Sequence, residues 1–371
     1  MAEVGIVGSY PPPYGGVSVY IKRLSDFLRM NNYDHTCYAH NLDNKYSSNK
    51  SGLKENIIII NCSKKWLVKY FFSPHEKLIH LNKITPIHFF TFGMLRKIRG
   101  KKLIINRHGE HIYAELPKNS NNWKDRLKIA CYNYGFRSAD HIIIVNEKMR
   151  SELNQLGISN RLISCIPAFI PPSVSVENSI LKKPVEDFIR KHKYILCSNG
   201  SIRFFKGQDL YGIDLMFDLI ERIDDQDLGL VIYLRGTNKM TPQERRHYQL
   251  LIERVNDLGL KEKILLYESY DEEFWPILAR SHIFVRPTNT DGDAVSVREA
   301  LFFGLRTICS DVTYRPEGVI LFKNRDIEDL KEKVIDALDH VKKKGIKKTQ
   351  DNDLSFSNAQ QIMELYKRLL Q

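Results

Sequence analysis

Val4-Gly5-Ile6-Val7-Gly8, behind Glu3, is an apolar run of the length that suits a buried strand. A turn-rich Pro11-Pro12-Pro13 segment comes next, and Gly15 to Met30 then carries its apolar residues at helical spacing. The predicted order is strand, glycine loop, helix. Short β-branched runs recur at Ile57 to Ile60, Leu103 to Asn106 and His141 to Val145, separated by longer helix-capable stretches. This alternation predicts a doubly wound α/β domain, because parallel strands need crossover connections and are covered on both faces.

A second series repeats the architecture without repeating the sequence. Its strands are predicted at Tyr194 to Ser198, Gly229 to Arg235, Ile264 to Tyr267, His282 to Arg286 and Thr307 to Ser310. Between the two series, Pro167 to Pro184 is rich in Pro, Ser and Val, has little periodicity and reads as a linker. Gln360 to Leu370 closes the chain as an amphipathic helix. The division expected is one domain over residues 1–170, a second over 171–355 and a final helix over 356–371. A length of 371 residues, about twice that of a typical domain, agrees with it.

Charge changes this picture by splitting it. The formal net charge is +12, and residues 1–170 hold about 25 Lys and Arg against about 12 Asp and Glu while the rest is near neutral. Such asymmetry points the first domain at an anionic partner, nucleic acid or membrane, or else merely keeps the protein in solution. The six cysteines form no C-x-x-C pair, so neither a zinc site nor a disulfide framework is indicated. Neither a signal-peptide core nor a run of bilayer length is visible, and a cytoplasmic protein is expected.

Three constellations lie where a predicted strand hands over to a helix, the edge at which open α/β sheets bind ligands. Gly15-Gly16 allows close backbone approach, and the helix behind it offers free N–H groups to an anion, although alone the pair is no more than a turn signal. Gly200 to Gly207 carries Arg203 and Lys206 three residues apart, ahead of a helix expected to begin near Gln208. Two fixed cations suit a diphosphate and would neutralise the charge of a departing nucleoside diphosphate; without neighbours they would be only a solvated loop. In the third, seven residues stand between Asp291 and Glu299. A helix starting near Ala294 would leave Asp291 in the preceding loop and set Glu299 inside, with the backbone of Gly292, Ala294 and Val295 open to phosphate.

In order and spacing these motifs resemble the family-4 retaining glycosyltransferases, and the resemblance runs from Gly5 to the C-terminal helix. It implies the GT-B fold: two Rossmann-like domains with parallel sheets facing across a cleft, the first binding acceptor and the second nucleotide sugar, with the last helix returning to the first. It implies that Gly15 and Gly16 approach the donor phosphate, that Arg203 and Lys206 bind the diphosphate, that Asp291 holds hydroxyls of the sugar and Glu299 those of the ribose. His108, in Asn106-Arg107-His108-Gly109, looks like the loop histidine that the family places beside the sugar, with His111 close enough to compete for that place. Tyr267 to Asp271 resembles the segment that meets the nucleobase. The implied catalytic set is His108, Asp291, Arg203 and Lys206, with no metal and no cofactor beyond the nucleotide sugar, which is a substrate.

Departures from the family pattern are also visible. Asp291 stands where a Glu is usual, Asp293-Ala294 where Phe-Gly is usual, and Pro167-Ala168-Phe169 where an Asn-Gly follows the proline. Asp291-Gly292-Asp293 also spells the Asp-x-Asp of the metal-dependent glycosyltransferase fold, a reading that leaves Arg203 and Lys206 without work. Basic and apolar residues interleave at Lys64 to Phe72 and at Met94 to Lys102, a membrane-surface pattern or else a core-facing strip with solvated lysines. The expected function is transfer of a sugar, UDP- or GDP-linked, to a glycan or polyprenyl-linked acceptor. The setting expected is bacterial surface-polysaccharide synthesis, lipopolysaccharide or capsule, at the inner face of the cytoplasmic membrane. A nucleotide-sugar epimerase or a phosphorylase is the alternative on the same fold. A basic nucleic-acid-binding protein is the alternative from another class, although no nucleic-acid module is recognisable and nucleic acid is not expected as a partner.

Overall fold

Apolar runs bounded by turns have produced two parallel sheets, in a computed structural model that describes residues 3–39, 57–59, 64–72, 75–82, 85–109, 111–113, 122–173, 176–292, 294–345 and 356–371. Ile60 and Asp293, which the sequence reading used, lie outside the described residues, as do the side chains of Lys64 and Lys65. The chain divides into two units, Met1–Ser173 with Asn352–Gln371, and Val174–Asp351.

In the first unit the strands are β1 (Val4–Gly8), β2 (His35–Ala39), β3 (Ile57–Ile59), β4 (Leu78–Asn82), β5 (Lys102–Arg107), β6 (His141–Ile144) and β7 (Ile163–Cys165). They form one sheet in the order β3-β2-β1-β4-β5-β6-β7. β1 pairs in parallel with β2 on one side and β4 on the other, so the winding reverses beside it. Val4, Ile6, Ile104 and Ile143 are wholly buried, as expected of strands covered on both faces. The helices are α1 (Gly16–Met30), α2 (Lys64–Phe72), α3 (Pro86–Arg99), α4 (Trp123–Ser138) and α5 (Lys148–Gln155).

The second unit holds a sheet of β8 (Tyr194–Gly200), β11 (Leu228–Leu234), β12 (Ile264–Glu268), β13 (Ile283–Arg286), β14 (Arg306–Ser310) and β15 (Ile320–Phe322). Its order is β12-β11-β8-β13-β14-β15, again parallel and again reversing at the first strand. A separate hairpin joins β9 (Phe204–Phe205) to β10 (Gln208–Asp209). The helices are α6 (Lys183–Lys191), α7 (Ile213–Arg222), α8 (Pro242–Asp257), α9 (Trp275–Leu278), α10 (Val295–Phe302) and α11 (Ile327–Lys344). Strand alternation feeds two cores: Leu196, Leu230 and Ile232 pack towards Met216 and Val334, while Ile195, Val231 and Phe284 pack towards Phe188 and Leu278.

The last helix, α12 (Ser357–Leu370), belongs to the first unit. Phe356 stacks on Phe27 at 5.6 Å, and Asn358 Nδ2 donates to the Phe169 carbonyl at 2.9 Å. Deeper in, the wholly buried Tyr366 hydroxyl shares a 2.5 Å hydrogen bond with His80 Nδ1 in β4. Burial pushes His80 down from 6.5 to about 3, and its Nε2 has no hydrogen-bond acceptor among the described residues. His80 is therefore neutral in the folded protein over a range in which the unfolded chain takes up a proton. Stability is expected to be highest above pH 6.5 and to fall as pH drops towards 3, by up to about 1.4 kcal/mol per pH unit from this residue. Denaturant melts of wild type and His80→Gln across that window check this: the variant should show the shallower slope.

Candidate active site

In both sheets the strand order reverses beside the first strand, which opens a crevice outside the carboxyl ends of its neighbours. In the second unit those ends belong to β8 and β13. The chain leaving β8 does not start a helix near Gln208, as the sequence suggested; it makes the β9–β10 hairpin, and α7 begins only at Ile213. Lys206 and Gly207 form the turn with φ of 50° and 80°. Positive φ at both central residues is the geometry that matches hairpin twist, and it puts Lys206 at the tip.

Arg203 enters the hairpin from the other side. Its Nη1 donates to Glu244 Oε1 at 3.3 Å, in the first turn of α8, and its side chain is 43% exposed. The Thr241–Glu244 capping box holds that carboxylate, since Thr241 N donates to Glu244 Oε2 at 2.7 Å. Phe204 packs on His247 at 5.2 Å, and His247 Nε2 lies 3.2 Å from Asp209 Oδ2. The hydrogen bond to Asp209 raises the His247 pKa above its ordinary value. Both candidate cations thus stand exposed on a hairpin fixed at its base.

The loop after β13 is tied to that after β8. Asn289 N donates to the Leu210 carbonyl at 2.9 Å and Asn289 Nδ2 to the Asp209 carbonyl at 2.7 Å. Gly212, with φ of 64°, makes the approach possible: a Cβ there would lie 2.2 Å from the Pro287 carbonyl oxygen. Arg286, the last residue of β13, donates through Nη1 to the Asn199 carbonyl at 2.9 Å and lies 5.1 Å over the Tyr211 ring.

Asp291 faces this arginine. Its Oδ2 accepts from Arg286 Nε at 3.0 Å, Arg315 Nη1 at 2.9 Å and Thr288 Oγ1 at 3.4 Å, and its Oδ1 accepts from Arg286 Nη2 at 3.3 Å. Burial opposes ionisation, yet Arg286, and after it Arg315, hold the carboxyl below its ordinary value. Behind Gly292, α10 starts at Val295 with Ala294 as its N-cap, within a residue of the predicted start. Glu299 lies in its second turn and is buried.

Tyr267 and Asp271 stand at the end of β12, separated from β8 by β11. The Tyr267 hydroxyl donates to Glu272, and burial followed by that carboxylate raises its pKa. Asp271 is exposed and lies 3.6 Å from Lys182 Nζ.

The first unit gathers its own candidates at the carboxyl ends of β1, β4 and β5. Gly15 is the N-cap of α1 and donates its N–H to Ser18 Oγ at 2.8 Å, while Gly16 is the first helical residue. His108 Nε2 lies 3.0 Å from Asn82 Oδ1, and its ring meets Tyr20 of α1 edge-on at 5.0 Å. Tyr20 in turn accepts from Asn106 Nδ2 at 2.8 Å, so one tyrosine joins the glycine-led helix to the histidine loop. His111 is engaged elsewhere: its Nδ1 lies 2.6 Å from Glu152 Oε1, whose other oxygen accepts from Ile112 N at 2.8 Å. Sequence reasoning overlooked Arg286, Arg315, Glu244 and Asn82. Arg286 alone left a signal, as a cation closing an otherwise apolar strand.

The chain matches two family models, Glycosyltransferase Family 4 over residues 14–174 and Glycosyl transferases group 1 over residues 202–340. No curated protein matches it. Among solved structures it is similar to Anabaena HepE in complex with UDP and glucose, at 11% identity over 99% of this chain and 100% of that one, with a TM-score of 0.71. The lipopolysaccharide outer core galactosyltransferase WaaB is 15% identical over 98% and 99% of the two chains, with a TM-score of 0.56. A Listeria monocytogenes protein provisionally assigned as a UDP-N-acetylglucosamine 2-epimerase is 15% identical over 100% and 96%, with a TM-score of 0.62. At such identities the likeness is one of fold.

Proposed function

We propose, for a chain that belongs to the family-4 glycosyltransferases with the GT-B fold, that it moves a sugar from a nucleotide-sugar donor to a glycan or polyprenyl-linked acceptor. Transfer retains the anomeric configuration and needs no metal ion. The observation that carries this reading is the Arg203–Lys206 hairpin, fixed at the switch-point crevice with its two cations exposed. When the bond between the anomeric carbon and the diphosphate breaks, negative charge gathers on the departing oxygens. Two cations already in place lower the energy of that state without reorganisation. The acceptor hydroxyl attacks on the face that the diphosphate leaves, so no protein nucleophile takes part.

The remaining roles follow the family resemblance. Glu299 receives the ribose hydroxyls, the backbone of Tyr267 to Asp271 meets the base, and Gly292, Ala294 and Val295 offer N–H groups to phosphate. In the first unit the same resemblance gives Gly15 and Gly16 a role at the diphosphate and His108 one at the sugar. Asp291 orients sugar hydroxyls with whatever acceptor capacity two arginines leave it. Those same arginines argue against a divalent ion at Asp291, because they already supply its positive charge. UDP or GDP carries the sugar, and the acceptor belongs to surface-polysaccharide assembly at the inner face of the cytoplasmic membrane.

Thermal-shift measurements against UDP, GDP and their sugars test the donor assignment. A ligand bound only by the folded state at about a hundred times its Kd adds about 2.7 kcal/mol of stability. At least one nucleotide should raise the melting temperature, and its sugar should be consumed only when acceptor is added. A free altered sugar nucleotide formed without acceptor would favour an epimerase, and no shift with any nucleotide would overturn the reading.

A further inference from the structure

The first unit carries an apolar face that none of its described residues covers. α2 and α3 each turn one side inward, with Leu67, Tyr70, Phe89, Phe92 and Leu95 buried. Their other sides expose Val68 (56%), Phe72 (68%), Ile87 (46%) and Phe90 (40%). These residues, with Phe71 and Met94, line a solvent-open groove of about 420 Å³ between the two helices. Of the two sequence-level readings of Lys64 to Phe72, core strip and surface pattern, the helix accommodates both, one on each side.

Charge selects the occupant. α2 has Lys69 in its last turn and α3 has Arg96, Lys97 and Arg99, and neither helix contains an Asp or Glu. Arg96 is bound to Asp140 through two contacts of 3.0 and 3.3 Å, which fixes the end of α3, and Lys97 Nζ lies 4.8 Å over the Tyr134 ring. Lys69, Lys97 and Arg99 are exposed. An apolar groove between two helices that carry exposed cations and no acids matches the layered chemistry of an anionic leaflet, with phosphates at head-group height and acyl chains beneath. A contiguous exposed apolar patch calls for a partner in any case.

We propose that the α2–α3 face docks the first unit on an anionic membrane, the groove receiving acyl chains while Lys69, Lys97 and Arg99 meet lipid phosphates. This deepens, and rests on, the reading that the acceptor is borne by a membrane.

The test is flotation with phosphatidylcholine vesicles, with and without phosphatidylglycerol, at low and high salt. Wild type should float only with phosphatidylglycerol and should be released by salt, because the attraction is screened beyond about 10 Å at 0.1 M. The exposed-site variant Phe72→Ser/Phe90→Ser and the charge variant Lys69→Gln/Lys97→Gln/Arg99→Gln should each lower partitioning about tenfold or more. Unchanged circular dichroism and an unchanged nucleotide-induced thermal shift would show that both variants remain folded. Wild type that ignores phosphatidylglycerol vesicles, or a Phe72→Ser/Phe90→Ser variant that floats like wild type, overturns the proposal. So does a wild-type dimer in sedimentation that the apolar variant dissociates, which would assign the face to a second copy. Vesicle binding needs no donor or acceptor, so its failure is distinct from a failure of transfer.

Discussion

Arg203→Ala and Lys206→Ala are each expected to lower kcat/KM by one to three orders of magnitude, about 2–4 kcal/mol, with the melting temperature little changed. Lys206 stands exposed at the turn, and Arg203, itself exposed, gives up its ion pair with Glu244, a carboxylate that the Thr241 N–H still holds, so removing either takes away charge without emptying a core. Lys206 offers a sharper version of the test. It occupies a left-handed backbone position that Asn tolerates better than Lys. Lys206→Asn should therefore fold at least as well as wild type while losing turnover like the alanine variant. Steady-state kinetics beside thermal melts check the pair, and near-wild-type rates in both alanine variants would remove the hairpin from the chemistry.

A second large effect is expected in stability. Asp291→Asn leaves Arg286 and Arg315 in place, with side chains only 8% and 3% exposed, and takes away the charge that both contact. Removing one partner of such a buried set costs on the order of 3–5 kcal/mol. At about 2–4 °C per kcal/mol, the melting temperature should fall by on the order of 10 °C. Glu299→Gln is expected to behave differently, weakening nucleoside diphosphate binding in calorimetry while the fold holds. If Asp291→Asn melts like wild type and loses affinity only for the complete donor, the carboxylate serves the sugar more than the arginines.

The strands that were legible in the sequence are those whose apolar residues form a clear run: β1, β3, β5, β6, β8, β11, β12, β13 and β14. β2 and β4 escaped because each spends positions on polar residues that the fold satisfies internally. His35 in β2 meets Ser25 Oγ, in the preceding helix, at 2.8 Å, and His80 in β4 meets Tyr366, which is remote in sequence. β7 and β15 are three residues each, too short for a periodicity to register, whereas the equally short β3 stood out as an unbroken isoleucine run. The hairpin was misread for a local reason. Its turn is Lys-Gly rather than the Asn-Gly that announces such a turn, and Gln208 onward looks helical until Gly212 breaks it. At the site, the helix start near Ala294 was readable because Asp-Gly before an apolar run is a local signal. Arg315 was not, since its approach to Asp291 depends on how β14 leads into the loop beyond it.

The attachment of α12 has a consequence for how the molecule is made. A chain emerging from the ribosome completes the strands of the first unit before the second exists, yet the helix that supplies Tyr366 and Asn358 is synthesised after both. Until then β4 presents His80, and α1 presents Phe27, to solvent. The second unit, contiguous in sequence, can close on its own core while the first still waits for its last helix, reversing the usual N-to-C order in which domains mature during synthesis. A released chain truncated before Ser357 should therefore show a protease-resistant second unit beside a first unit that is still digestible.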